Sequence, residues 1–256
     1  MARKIVVTSG KGGVGKTTLS AGLSAALAKR GARVVLCDAD LGLNNIDVVT
    51  GVENLVVYDL IDVIEGRCRA RQALVRHPEY PNLHVLTSSH SSPERYVSPQ
   101  TFKVALNALA PHFDFIVIDC PAGIDEGFHR AVAVAEEAIV VTTPHISALR
   151  DADKVITLLK SYHLKTLSLV VNKVRGDLLA SGESLSPKEI ESLLKTPLLG
   201  VVPEDYGIYG GDFARLHSAF KILGNNVLTG KNKLYDATRK YVGAIGALRR
   251  FLKRSL

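Results

Sequence analysis

No run in this 256-residue chain approaches the ~18–20 consecutive apolar residues that would span a bilayer, which excludes a bilayer-crossing helix. The amino terminus passes straight into an apolar strand, without the charged, apolar, then small-residue layout of a secretion signal. Cysteine is scarce. Cys37, Cys68 and Cys120 are odd in number and lack metal-ligand spacing, so a reduced, cytoplasmic chain is expected rather than a disulfide scaffold. The histidines show no ligand spacing, and there is no Ser-His-Asp arrangement or zinc-type cluster. Internal repeats and low-complexity linkers are missing as well. Most of the chain also lacks an excess of either charge. The formal net charge is +7, yet eight basic residues and one acidic residue fall in 231–256, which leaves 24 of each in 1–230. A general coating of nucleic acid by the body is therefore not implied.

What the chain does have is alternation. Its length suits one α/β domain with a well-filled core. Apolar runs at 3–8, 33–38, 83–87, 114–119, 138–143, 166–172 and 198–202 read as strands. Between them, 17–30, 56–65, 99–110, 127–136, 147–161 and 187–194 carry helical periodicity, with Ser186 and Pro187 as cap and first turn of the last. Phe213 to Leu223 suggests one more helix. This is the pattern of a doubly wound, mostly parallel sheet with helices on both faces. The expected division is a P-loop domain over 1–230 and a basic carboxyl-terminal segment over 231–256.

The chemistry is concentrated at Gly10-Lys11-Gly12-Gly13-Val14-Gly15-Lys16-Thr17-Thr18, between the first strand and the first helix. Gly10 and Gly15 frame a phosphate-binding loop whose backbone amides converge on phosphates, Lys16 reaches the β/γ oxygens, and the Thr17 hydroxyl holds Mg²⁺. Such a loop binds a nucleoside triphosphate. Lys11 is surplus to that task and lies on the outer wall, where it could serve a nucleotide held by a facing subunit. Asp119 ends the very apolar strand Phe115-Ile116-Val117-Ile118, the setting of a carboxylate that holds Mg²⁺ through water; the plainer alternative is a helix cap. Asp38 and Asp40 leave another strand two residues apart, so both could face the nucleotide. Asn172 closes a strand at the same carboxyl edge, where its amide could bond to adenine. Cys120 reads as a small buried hydrophobe.

The string Lys11 to Thr18 resembles the deviant phosphate-binding motif of the MinD/ParA family of dimerising ATPases. Cys37-Asp38-Ala39-Asp40-Leu41-Gly42-Leu43-Asn44-Asn45-Ile46-Asp47 is similar to that family's first switch, and Asp119-Cys120-Pro121-Ala122-Gly123-Ile124 to its Walker B segment and second switch. Val140 to Pro144, Ser147 to Asp153, Val170 to Arg175 and Gly200 to Asp205 continue the match in order, over about residues 2–205. The resemblance implies ATP/ADP and Mg²⁺ as cofactors and slow hydrolysis stimulated by dimerisation or a partner. It implies that Lys11 reaches the partner subunit's phosphates, that Asp40 orients or activates the attacking water, and that Asp38 supports the magnesium shell. Pro203 and Glu204 would close over base or ribose. The helix after the fifth strand, with Arg150, Asp151 and Asp153, would form the dimer and partner surface. Implied partners are a second copy of the chain, a MinC-like division inhibitor, and a MinE-like or topological regulator. From Tyr206 to Asn226 the chain departs from the family, which usually shows a Ser-Asn-x-Gly-Glu-Pro-like stretch there.

The last turns, at about 240–256, place Tyr241, Ile245, Leu248, Leu252 and Leu256 on one helical stripe, flanked by Phe251. Arg249, Arg250, Lys253 and Arg254 take other positions. A basic amphipathic helix of this kind lies in the headgroup layer of an anionic membrane. The resemblance implies such a helix too, and with it a cytoplasmic chain peripheral to the inner face of the cell membrane when ATP is bound. The alternative is a final helix docked on the domain by its apolar stripe. Placement of the cell-division site is the leading functional expectation. Alternatives are a flagellar-number ATPase of the FlhG type, a ParA-like DNA-segregation protein with the tail as a nucleic-acid arm, and an ATP-binding scaffold. The leucine stripe argues for lipid over DNA, because phosphate binding needs no apolar face.

Overall fold

The computed structural model describes residues 1–41, 45–88, 97–209, 217–243, 246–247 and 249. In chain order the elements are β1 (Arg3–Thr8), α1 (Lys16–Lys29), β2 (Val34–Asp38), α2 (Ile46–Thr50), α3 (Leu60–Ile64), β3 (Val75–Arg76), β4 (Leu83–Leu86) and α4 (Pro99–Leu109). They continue with β5 (Phe115–Asp119), α5 (Glu126–Val132), β6 (Glu137–Thr142), α6 (Ile146–Leu159), β7 (Thr166–Val174) and α7 (Gly176–Ala180). The series closes with α8 (Pro187–Leu194), β8 (Leu198–Pro203), α9 (Tyr206–Tyr209) and α10 (Ser218–Thr229). The strands form one eight-stranded sheet in the order β3-β4-β2-β5-β1-β6-β7-β8. Every pairing is parallel except β3 with β4.

Period-two alternation sorts side chains onto two faces. Ile5, Val7, Val34, Leu36, Phe115 and Val117 pack with α1 and α10 on one face. Val6, Val35, Cys37, Ile116 and Ile118 pack with α4, α5, α6 and α8 on the other. The central strands are buried on both sides, which is why they read as continuous apolar runs. Parallel strands bring their carboxyl ends to one edge, and at a doubly wound sheet that edge is where ligands bind. The ends of β1, β2, β5 and β7 meet there.

All seven expected strands are present, as is the α8 start, where Ser186 and Glu189 form a capping box around Pro187. The helix expected over 56–65 begins only at Leu60, because Asp59 caps it and Val56 is extended. The one expected over 127–136 stops at Val132, since Glu137 is already paired with Ile5 in the sheet. The described part of the helix expected over 213–223 starts at Ser218 and runs on to Thr229. Beyond position 230, among the described residues, Ala237 is buried and Leu234 and Tyr235 lie against the core.

Candidate nucleotide site

The loop between β1 and α1 is wedged between two neighbours. A Cβ on Gly10 would sit 2.1 Å from the Asp151 carbonyl oxygen of α6, so only glycine fits there. Gly15, at φ 89°, caps α1 in the left-handed region, and a Cβ on it would lie 2.4 Å from the Asn172 amide nitrogen. Asn172 donates to the Val14 carbonyl at 2.8 Å, Lys173 Nζ to the Gly13 carbonyl at 2.8 Å, and Ser9 Oγ to the Lys11 carbonyl at 2.8 Å. A Cβ on Gly12 or Gly13 would meet nothing within 4 Å. The loop is therefore braced from outside and open at Gly12 and Gly13, above the unsatisfied N–H groups of the α1 amino terminus. That is the build of a phosphate cradle.

Two carboxylates form the floor. Asp38 and Asp119 end neighbouring strands and stand opposite each other in register. Asp119 accepts from Thr17 Oγ1 and from Ser20 Oγ, both at 2.7 Å. Burial pushes its pKa up to about 6, against the pull of those two hydroxyls and of the Lys16 charge. Asp38 accepts the Asp40 backbone N–H at 2.9 Å. Burial, then the Asp119 charge, hold its pKa well above the carboxylate range. Two buried acids pushed toward neutrality make a place that gains from a cation. Among the described residues no cluster of three or more His, Cys, Asp or Glu side chains could hold a metal by itself. A hydroxyl and a carboxylate beside a phosphate cradle suit Mg²⁺, which is held by few protein oxygens and completes its shell with water and phosphate. The residues present fit that group. Asp40 is half-buried next to this floor, and Ser88 Oγ donates to its carbonyl at 2.8 Å.

The structure thus gathers Gly10 to Thr18, Asp38, Asp40, Asp119 and Asn172 at one edge. Asn172 is 2% exposed and committed through its nitrogen to the loop, while its buried Oδ1 has no protein partner. Pro203 is buried at the end of β8, paired with Val174, whereas Glu204 is exposed at 3.7 Å from Arg175. Lys11 is exposed, with Nζ 3.1 Å from Ser147 Oγ in the first turn of α6. Arg150 and Asp153 are exposed on that helix; Asp151 is half-buried, 3.3 Å from Lys154. Two site residues have roles the sequence reading did not assign. Ser20 lies three positions after Thr17 on the same helix face, a detectable signal, while Lys173 left no signal because its contact depends on backbone geometry. Cys120 is buried with its thiol pushed up to about 12, so it stays a packing group.

Among the described residues the tail meets the domain at several points: the Lys233 carbonyl accepts from Asn226 Nδ2 at 2.7 Å, Tyr235 lies against the His217 ring, and Ala237 approaches α7. A Cβ on Gly176 would lie 1.9 Å from the Ala237 carbonyl oxygen and 3.0 Å from the Tyr241 ring. Tyr241, expected on the free apolar stripe, is instead half-buried here. Arg249 is exposed, with Nη1 3.5 Å from the Lys240 carbonyl. The expectations for Ile245, Leu248, Arg250, Phe251, Leu252, Lys253 and Arg254 lie outside the described residues. Among the described residues no helix is long and apolar enough to cross a membrane.

Residues 5–209 match the family profile of the CobQ/CobB/MinD/ParA nucleotide-binding domain. The chain belongs to this family. Its relatives include the septum site-determining protein MinD of Bacillus subtilis, 48% identical over 207 residues, with 80% of this chain and 77% of that protein covered. A putative septum site-determining MinD of Guillardia theta is 46% identical over 205 residues, covering 80% and 76%. Among solved structures, the MinC:MinD cell division complex of Aquifex aeolicus matches with TM-score 0.82 and 34% identity, over 91% of this chain and 97% of that one. MinD of Pyrococcus horikoshii complexed with Mg-ADP matches with TM-score 0.79 and 32% identity, over 90% and 97%. The eight-stranded, mostly parallel sheet with helices on both faces agrees with these likenesses.

Proposed function

We propose that this chain is an ATP-dependent dimerising, peripheral-membrane ATPase that regulates placement of the cell-division site by bringing a division inhibitor to the membrane. The observation that carries this reading is the division of labour between two lysines of one loop. Lys16 stays in its own cradle, where its charge acts on Asp119. Lys11 reaches the first turn of α6. A cation so placed is available to phosphates across an interface, which would make turnover depend on a second copy. Trans-acting cations of this kind are worth roughly 10³–10⁵ in phosphoryl transfer.

In this reading the amides of the cradle and Lys16 bind the triphosphate. Thr17 and Asp119 would hold Mg²⁺, which would supply charge neutralisation for the phosphates. Asp40 orients the attacking water, and Asp38, bonded to the Asp40 backbone, keeps that turn in place. Asn172 meets the base through Oδ1, with Pro203 and Glu204 alongside. The α6 surface around Arg150, Asp151 and Asp153 takes the second copy and a MinC-like inhibitor, in keeping with the MinC:MinD complex of Aquifex aeolicus. A MinE-like or topological regulator would set timing and place. Paired basic tails then add avidity, roughly 10²–10⁴ beyond one tail, without any further contact.

The test is co-sedimentation with anionic liposomes, in ATP and in ADP, of the full chain, of a chain ending at Val242, and of Lys11→Ala. Pelleting is expected only for the full chain in ATP. Lys11→Ala should still bind ADP yet remain in the supernatant. Equal pelleting in ATP and ADP would remove the nucleotide-gated membrane role and make DNA binding by the tail the next assay.

A further inference from the structure

Near its end β7 does what a regular strand cannot. Pleating sends consecutive side chains to opposite faces. Yet Asn172 and Lys173, adjacent in sequence, both end on consecutive carbonyls of one loop, Val14 and Gly13, each at 2.8 Å. Two features make this possible. The pairing of β7 with β8 slips between Val171 and Val174, so the ladder is interrupted at these two positions. Lys173 itself stands at φ 53°, in the left-handed region that a long side chain rarely occupies. A bulge that holds a residue in that region re-aims its side chain, and strain of this kind persists only where the surroundings over-determine it. Here it swings Lys173 onto the face that Asn172 already uses.

The consequence lies on the far side of the two peptide planes. In a trans peptide the C=O and the N–H point in opposite directions. Holding the Gly13 and Val14 carbonyls outward therefore turns the Val14 and Gly15 N–H groups inward, toward the space above the α1 amino terminus. We infer that Lys173 is a positioning residue of the phosphate cradle: by binding the Gly13 carbonyl it sets the Val14 amide to face a bound phosphate. The inference rests on the nucleotide reading above and adds to it the residue that shapes the anion hole from behind. A Cβ on Gly12 or Gly13 would meet nothing within 4 Å, so no packing at those Cβ positions braces the loop in place of this bond.

The experiment is calorimetric titration of ADP·Mg²⁺ into the full chain and into Lys173→Asn, Lys173→Arg and Lys16→Ala, with nucleotide-free melting curves for each. Asparagine accepts the left-handed conformation but is too short to reach the Gly13 carbonyl. The Asn variant should therefore melt at or above the wild-type temperature and bind ADP·Mg²⁺ more than about 5-fold more weakly, as loss of a charged donor predicts. Lys173→Arg, which keeps a donor, should recover binding to within about 3-fold of wild type. A merely structural lysine would show the opposite pattern, with altered melting and unchanged affinity. Binding by Lys173→Asn within 5-fold of wild type overturns the inference. Failure of the underlying reading looks different: wild type would not bind, or Lys16→Ala would bind as well as wild type.

Discussion

Gly10 and Gly176 face the same steric demand in different surroundings. A Cβ on either would lie about 2 Å from a backbone carbonyl oxygen, Asp151's at 2.1 Å and Ala237's at 1.9 Å. Behind Asp151 stands α6, anchored by buried Ala148, Leu149, Ala152 and Val155. Behind Ala237 runs a segment in which Asp236, Arg239 and Lys240 are exposed and Ala237 alone is buried among residues 231–241. A close approach is only as stiff as the element behind it. The cradle is built where neither partner can retreat, and the tail root where one of them can.

Gly10→Ala should accordingly have the largest effect. With no retreat available, the loop must leave its seat. A loss of roughly 3 kcal/mol or more is expected, with ADP·Mg²⁺ binding abolished. Urea unfolding and calorimetric titration measure both. A variant within 1 kcal/mol of wild type would mean that α6 yields after all, and the contrast with Gly176 would vanish.

The second contrast is electrostatic. The tail root carries one exposed ion pair, Lys240 with Asp205 at 3.6 Å, of a kind worth little. The cradle carries Asp119, whose folded pKa of about 6 lies above the ordinary 3.8. The folded chain therefore binds more protons than the unfolded one between those values, and in Mg²⁺-free solution folding is favoured as pH falls through that window. Above about pH 6 the buried charge is a full burden. Asp119→Asn should then be more stable than wild type by on the order of 2 kcal/mol at pH 7.5 without Mg²⁺, and lose that advantage by about pH 4. Paired unfolding curves across this range decide it. A difference that does not change with pH would show that Asp119 is not buried as a charge.

Gly176→Ala comes third. The tail root can move aside, so a cost of about 1 kcal/mol is expected, together with faster proteolysis after residue 230 and ADP binding within about 2-fold of wild type. A large loss of ADP binding would show that the root and the cradle are one mechanical unit, joined through Asn172, Lys173 and the turn at Arg175, whose guanidinium holds Asp177 at 2.9 and 2.5 Å.

The same contrast explains how much the sequence disclosed. The strands and the cradle were legible because their signals are local: two-face burial makes continuous apolar runs, and phosphate binding needs glycines, lysine and threonine at fixed spacing. Ser186 and Pro187 announced α8 for the same reason. Short α2 and α7 and the two-residue β3 were not foreseen; five residues carry too little periodicity, and β3 exists only as an antiparallel addition beside β4. Among the described residues α10 starts at Ser218, capped by His217, whose ring nitrogen accepts from Ala219, a role its residue type does not advertise. Lys173 escaped because its function depends on a backbone angle. Tyr241 was placed on a stripe by its spacing, whereas Gly176, 65 positions earlier, offers it a seat.

The smallest expected effect concerns the outward lysine of the cradle. Ser147→Ala removes the only side-chain bond recorded for Lys11 among the described residues, an exposed contact of 3.1 Å between an ammonium and a hydroxyl. Both groups are hydrated when apart, so fold stability should change by less than about 0.5 kcal/mol and ADP affinity should be unaltered. If Lys11 acts across an interface, however, the second copy must first draw it off Ser147. Removing that competitor should strengthen ATP-dependent self-association slightly, by about 2-fold, since an exposed bond of this size is worth only a few tenths of a kcal/mol. Analytical ultracentrifugation in ATP, with Lys11→Ala as the non-associating control, can resolve the change. Weaker association in Ser147→Ala would instead make Ser147 part of the contact surface, and Lys11 would then be held ready by α6 rather than kept from its task.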